Sequence, residues 1–212
     1  AARACCEDRR VSDVAIIDSG GANIASLRYA LERLGATSRL TADAGDLQAA
    51  SRVILPGVGA AADAMARLRA LELTELIPAL TQPVLGICLG MQLLFASSEE
   101  GDDGEDTECL GLIAERVARF PRRPDFPVPH MGWNQLRIVA PNPLTRGLDD
   151  GAYVYFVHSF AAPTGPWTLA ATDYGGEFSA AVHRDNFYGV QFHPERSAQA
   201  GSRVLANFLE LA

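Results

Sequence analysis

The apolar residues fall into two kinds of run. Val14–Asp18 (VAIID), Arg52–Leu55 (RVIL) and Pro83–Ile87 (PVLGI) are short, continuous and rich in branched side chains. Runs of that length predict strands buried on both faces. Between them the spacing turns helical. Ile24, Leu27, Leu31 and Leu34 recur every three or four positions, Asn23 is placed to cap the start, and Gly35 to stop the end. Met65–Leu80 repeats the helical pattern, and Met91–Ala96 begins another helix. Strands alternating with helices predict parallel βαβ units. The second half differs. Trp133–Val139, Tyr153–Val157, Leu169–Thr172, Ser179–His183 and Tyr188–Phe192 are strand-like with short connections, ahead of a closing helix over roughly Ala198–Leu211. The expected fold is therefore α/β: a three-layer domain with a mixed, mainly parallel central sheet and a smaller antiparallel portion. Residues 1–12 are polar and aperiodic, and are read as a flexible N-terminal extension ahead of one domain over 13–212.

Composition narrows the chemistry. With 212 residues, 48% of them apolar, there is material for one sizeable core. No apolar run approaches the ~20 residues of a membrane span. A formal charge of −8 repels phosphate backbones and argues against nucleic acid. All 18 cationic side chains are Arg, which excludes lysine Schiff bases and the P-loop lysine. Cys5, Cys6, Cys88 and Cys109 show no CxxC spacing, which fits a reduced, cytoplasmic setting. The four histidines, His130, His158, His183 and His193, lack metal-ligand spacing, so neither a metal nor a cofactor is expected. The acidic stretch 98–108 lacks the EF-hand ligand pattern and reads as a solvated loop.

Three short motifs carry chemistry. Gly86-Ile87-Cys88-Leu89-Gly90 ends an apolar strand and opens a helix, the cysteine counterpart of the G-x-S-x-G nucleophile elbow. A nucleophile on so sharp a turn needs neighbours without Cβ atoms, and a helix N-terminus behind it favours thiolate. The alternative for that motif is a buried structural cysteine between packing glycines, and the elbow is the favoured reading of the two. In Gln191-Phe192-His193-Pro194-Glu195, residues two apart on extended chain face the same side. Glu195 can then accept from one imidazole nitrogen of His193, leaving the other to take a proton from Cys88. Taken in isolation, this motif reads better as a surface histidine with a chance acidic neighbour. Pro56-Gly57-Val58-Gly59 follows a parallel strand and presents backbone N–H groups where α/β proteins place their sites. Acyl transfer needs such donors for its oxyanion.

Together the motifs PGVG, GICLGMQLLF and QFHPE resemble the class I (triad) glutamine amidotransferases. VPHMGWNQL (Val128–Leu136), YFVHSF (Tyr155–Phe160) and DSGGANIASL (Asp18–Leu27) narrow this to the glutaminase subunits of imidazole glycerol phosphate synthases. The likeness runs from about Val14 to the C-terminus. It implies a flavodoxin-like fold, and glutamine hydrolysed to glutamate by Cys88, His193 and Glu195. The ammonia passes to a (β/α)8-barrel cyclase in histidine biosynthesis. The resemblance also implies that Leu89 N–H and the Gly57–Val58 backbone form the oxyanion hole. Gly59, Gln92 and the segment His158-Ser159-Phe160 would hold glutamine. Asn23, Trp133, Tyr155 and Arg196 would lie at the partner face. Without the resemblance, Trp133 and Tyr155 read as core aromatics. Two positions depart from the family: Ala22 stands where a second glycine is usual, and Arg196 where lysine is usual.

Two other readings stay open at this point. One is another class I amidotransferase subunit or a stand-alone cysteine hydrolase. The other is a non-catalytic binding module on the same fold, against which the intact Cys88, His193 and Glu195 count. An isolated glutaminase should not release ammonia unused, so a resting state with an oxyanion N–H turned away in the Gly57–Val58 segment is expected.

Overall fold

A computed structural model describes residues 13–18, 24–101 and 104–212. The expectations for Asn23 and for the extension 1–12, with Cys5 and Cys6, lie outside them. The first half is β1 (Asp13–Ile17), α1 (Ile24–Arg33), β2 (Thr37–Thr41), α2 (Ala44–Ala49), β3 (Arg52–Gly57), α3 (Ala61–Ala70), α4 (Leu73–Ala79), β4 (Val84–Cys88) and α5 (Leu89–Gln92). The second half adds β5 (Phe95–Ser98), β6 (Thr107–Glu108), β7 (Ile113–Arg119), β8 (His130–Gln135), β9 (Arg137–Ile138), β10 (Tyr153–His158), β11 (Phe160–Ala161), β12 (Thr168–Asp173), β13 (Glu177–Arg184), β14 (Phe187–Val190) and α6 (Ala198–Glu210).

Among the described residues the central sheet runs β2-β1-β3-β4-β14-β13-β12-β9. Its first five strands are parallel and the rest antiparallel. β8 and β10 form a separate antiparallel pair, and β11-β7-β5-β6 a small second sheet. The three layers follow from alternation along the strands. Val14 and Ile16 point to the layer that contains Leu27, Leu31, Val204, Leu205 and Phe208 of α1 and α6. Ala15 and Ile17 point the other way, to Leu47, Met65, Leu68 and Ile77 of α2, α3 and α4. Both faces of β1 are thus buried, which is why its sequence is a continuous apolar run rather than an alternating one.

Local chemistry explains where the structure departs from the pattern. The helix expected over Met65–Leu80 is two helices, because Glu72 adopts a left-handed φ of 57° between them. The helix expected from Met91 lasts only to Gln92, and Phe95–Ser98 is a strand paired with β6 and β7. Trp133–Val139 is not one strand. β8 pairs with β10, while β9 joins the main sheet beside β12. Gly35, at φ 80°, ends α1, with its N–H donating to Glu32 O.

Candidate active site

The site lies at the carboxyl ends of β3 and β4, where Gly57 and Cys88 sit side by side in register. Cys88 holds φ 54° and ψ −112°, a backbone geometry that costs a non-glycine residue ~1–3 kcal/mol. The strand stops there because α5 begins at the next residue. The three glycines around the turn are required by contact. A Cβ on Gly90 would lie 1.8 Å from Leu55 O. One on Gly86 would lie 2.6 Å from Gly90 O, and one on Gly57 would lie 2.7 Å from Gly90 N. The β3 end, the β4 end and the helix start therefore approach more closely than any side chain allows. Leu89 is the first residue of α5, so its N–H has no intrahelical acceptor.

β14 ends at Val190, two bend residues follow, and His193 stands just ahead of a 3-10 turn over Pro194–Arg196, so that turn, and not the extended chain expected from the sequence, brings Glu195 to the ring. His193 Nδ1 is 2.9 Å from Glu195 Oε1, and both side chains are buried. The carboxylate accepts from Nδ1–H, so Nε2 is the ring nitrogen left to exchange a proton with Cys88. Nε2 is buried and has no hydrogen-bond partner. Burial by itself would lower the His193 pKa, but Cys88 and Glu195 outweigh it and raise it to about 10. The turn is held from outside the site. His193 N–H donates to Tyr155 O, Tyr155 N–H donates to Ser197 Oγ, and the Ser197 hydroxyl donates to His193 O.

Cys88, Leu89, Val58, Gly59, Gln92, Glu100, Val157, His158, Ser159, Phe160 and His193 line one cavity of about 370 Å³. The structure thus gathers the expected nucleophile, base, oxyanion segment and ligand-holding residues in one place. The polar groups are ordered. Gln92 Nε2 donates to Phe160 O at 2.8 Å and to Gln191 Oε1 at 2.9 Å, which leaves its Oε1 to face a ligand. His158 Nδ1 also donates to Phe160 O, at 2.8 Å. His158 therefore carries its proton on Nδ1, and its Nε2 accepts from His130 Nδ1–H at 3.0 Å. Burial holds both imidazoles neutral, His158 at a pKa of about 3 and His130 at about 4. With both His158 nitrogens engaged inside the protein, backbone groups of the 158–160 segment are what a ligand meets.

Glu100 was not singled out by its sequence setting, an acidic stretch read as solvated. Its Oε2 accepts from Ala61 N–H at 3.1 Å and its carboxylate lines the cavity, where burial raises its pKa. No signal in the sequence marks it, because the buried Ser98 hydroxyl that accepts from Glu100 N–H is recognisable only in the fold.

Trp133 and Tyr155 are not core residues. Trp133 is half exposed, its ring meeting Tyr155 edge-on with centroids 6.1 Å apart. The Arg196 guanidinium lies over the other ring, 4.4 Å from its centroid. Exposed Trp133 and Met131 form a patch with half-buried Tyr155 on the β8/β10 pair. Among the described residues no group of His, Cys, Asp and Glu is arranged to hold a metal. His183 lies apart from the site, stacked on Tyr188.

The model of the family described as glutamine amidotransferase class-I matches residues 15–212. The chain belongs to the class I glutamine amidotransferases. This amidotransferase is 54% identical over 202 residues to the imidazole glycerol phosphate synthase subunit HisH of Xanthomonas axonopodis pv. citri, covering 95% of this chain and 99% of that one. It is 50% identical to the subunit of the same name from Shewanella oneidensis, covering 94% and 96%. Solved structures agree on the fold at 19% identity. One described as a glutamine amidotransferase superposes with a TM-score of 0.69, covering 93% of this chain and 97% of that one. PurLQS from Thermotoga maritima gives 0.68, with 94% and 98% covered. No helix among the described residues is long and apolar enough to cross a membrane.

Proposed function

We propose that this amidotransferase is the glutaminase subunit of an imidazole glycerol phosphate synthase, a cytoplasmic enzyme of histidine biosynthesis working as a heterodimer. The observation that carries the chemistry is the unpartnered Nε2 of His193, oriented by Glu195 and facing the strained Cys88 turn. His193 takes the thiol proton, and the Cys88 thiolate attacks the side-chain carbonyl carbon of glutamine. Leu89 N–H and the Gly57–Val58 backbone receive the oxyanion. As the tetrahedral species collapses, His193 returns the proton to the amide nitrogen, and ammonia leaves. A γ-glutamyl thioester remains on Cys88, and water activated by His193 hydrolyses it to glutamate. Glu195 orients the ring through Nδ1 and stabilises the imidazolium.

Recognition follows from the cavity. Glu100 and the Gln92 Oε1 offer acceptors to an α-ammonium, while the backbone of Gly59 and of 158–160 meets the rest of the amino acid. Trp133, Tyr155 and Arg196 face a (β/α)8-barrel cyclase, which consumes the ammonia to make imidazole glycerol phosphate and an aminoimidazole carboxamide ribonucleotide. Support for that assignment comes from the chain-long identity to synthase subunits and from the exposed aromatic patch.

The test separates two activities of the reconstituted synthase. Cys88→Ala should abolish glutamine-dependent turnover and leave ammonia-dependent turnover intact, because the barrel does its own chemistry. Loss of both in a folded complex, or retention of the glutamine reaction, contradicts the reading.

A further inference from the structure

We infer that Gln191, a fully buried residue with no assigned role, donates a side-chain hydrogen bond to the Cys88 thiolate and is a catalytic residue of this site. The inference rests on the glutaminase reading above and adds a group to it.

The orientation of the Gln191 amide is fixed by a chain of unambiguous partners. Phe160 O can only accept, so the Gln92 atom 2.8 Å from it is Nε2. That same Nε2 is 2.9 Å from one end of the Gln191 amide, which must therefore be Oε1. A flipped amide would set two N–H donors against each other in a site with no water access, since Gln191 is 0% exposed. Gln191 Nε2 is left at the other end, 3.8 Å from Cys88 Sγ.

The sulfur has two partners of opposite character. As a thiol it donates to Val157 O, also at 3.8 Å. Once ionised it has no hydrogen to give, and that carbonyl becomes a repulsive neighbour. Gln191 N–H is then a donor aimed at the new charge. The other groups around the sulfur are His193, backed by Glu195, and across the cavity Glu100 and neutral His158. The imidazolium attracts the thiolate and Glu100 opposes it. Gln191 is a neutral group that favours the thiolate by hydrogen bonding alone, so its effect persists when His193 is deprotonated. It also fixes the sulfur against rotation away from the oxyanion donors.

A hydrogen bond to a charged group contributes ~1.5–3 kcal/mol, and each 1.4 kcal/mol is a factor of ten. The test is the pH dependence of Cys88 alkylation by iodoacetamide in the full chain, wild type against Gln191→Met, which keeps length and burial but removes the donor. The expected result is a midpoint shifted upward by at least one pH unit. Labelling at pH 7 should be ~10-fold slower and the plateau at high pH unchanged. In turnover, kcat should fall by a similar factor, while KM for glutamine also responds to the lost acceptor of Gln92 Nε2 and does not decide the matter. Superimposable alkylation profiles overturn the inference. Should Gln191→Met fail to fold, the wild-type protein still decides. The Gln191 side-chain amide resonance should move with the Cys88 midpoint and stay fixed in Cys88→Ala. A resonance indifferent to Cys88 ionisation overturns the inference. Failure of the underlying reading looks different: wild-type Cys88 would then not react with a glutamine-like electrophile at all.

Discussion

Gly90→Ala is the substitution whose cost the geometry defines most sharply. The added Cβ would sit 1.8 Å from Leu55 O and 2.8 Å from Leu55 C, where ordinary contacts begin at 3.4 Å. The obstacle is the backbone of β3, not the end of a flexible side chain, so β3 and the start of α5 must separate by about 1.6 Å. Both lie in fully packed layers, with Leu55 at 0% exposure and Leu89 at 2%. Overpacking a core costs ~1–3 kcal/mol, occasionally more, and an immovable carbonyl places this case at or above the upper end. At ~2–4 °C per kcal/mol for a domain of this size, the melting temperature should fall by about 6–12 °C. The same displacement moves Leu89 N–H and Cys88 against the Gly57–Val58 segment. A ~1 Å misplacement of reacting groups costs ~10²-fold in rate, so glutamine turnover should drop at least that much. The assay is a thermal melt alongside labelling of Cys88 by a glutamine-like electrophile. Gly59→Ala is the control: nothing lies within 4 Å of its Cβ, and only the φ of 88° is strained, at ~1–2 kcal/mol. If Gly90→Ala melts within 2 °C of wild type and labels normally, the close approach described above is wrong.

The remaining predictions concern the base, pH, the loop and the partner face. His193→Asn should be as damaging as Cys88→Ala, since the two act as one unit, while Glu195→Gln should cost less, within the ~10²–10⁴-fold of a general base. A silent Glu195→Gln beside an inactive His193→Asn would remove Glu195 from the account. The unfolded chain binds protons on His130 and His158 near pH ~6.5, but the folded chain binds them only near about 4 and 3. Their contribution to stability is therefore complete above pH ~6.5 and falls as the pH drops toward 3. Denaturant titrations of wild type and His130→Gln across that window should differ in slope, and parallel curves would contradict it. His193, raised to about 10, works in the opposite sense: its contribution is complete below pH ~6.5 and is lost as pH rises through 10. Gly59→Ala should blunt any stimulation of glutaminase activity by the cyclase, with less effect on binding, measured as turnover of the free chain and then of the complex. Gly57→Ala is not a clean probe, because its Cβ collides with Gly90 N and Leu89 Cβ. Trp133→Ala should weaken cyclase binding by ~30-fold or more, as central exposed aromatics at interfaces do, without changing the melting temperature; unchanged affinity in a binding titration would place the partner elsewhere.

The parallel core was legible because β1, β3 and β4 are buried on both faces and so carry continuous apolar runs. The reactive residues were legible because an elbow and a triad segment need fixed spacings in a short stretch of chain. What escaped detection depends on tertiary pairing. β2 (Thr37–Thr41) alternates only weakly and is recognisable only by its register with β1. Phe95–Ser98 follows a helical pattern from Met91, but Phe95 and Ser98 are buried as part of a strand of the second sheet, paired with β7. The break at Glu72 is a backbone event that no residue type announces. Glu100 was hidden by its acidic neighbours, and the exposure of Trp133 beside half-buried Tyr155 could be expected only from a family resemblance, since aromatics at strand spacing ordinarily pack inside.

The central claim is that Cys88 carries the acyl group of glutamine. The direct measurement is peptide mass spectrometry on the chain, mixed with its cyclase and acid-quenched during glutamine turnover. The account predicts a γ-glutamyl group on the peptide containing Cys88 and none on that containing Cys109, whose buried thiol has its pKa pushed up to about 12. Glutamate accumulating while Cys88 stays unmodified, with the adduct on another residue or on none, would contradict it.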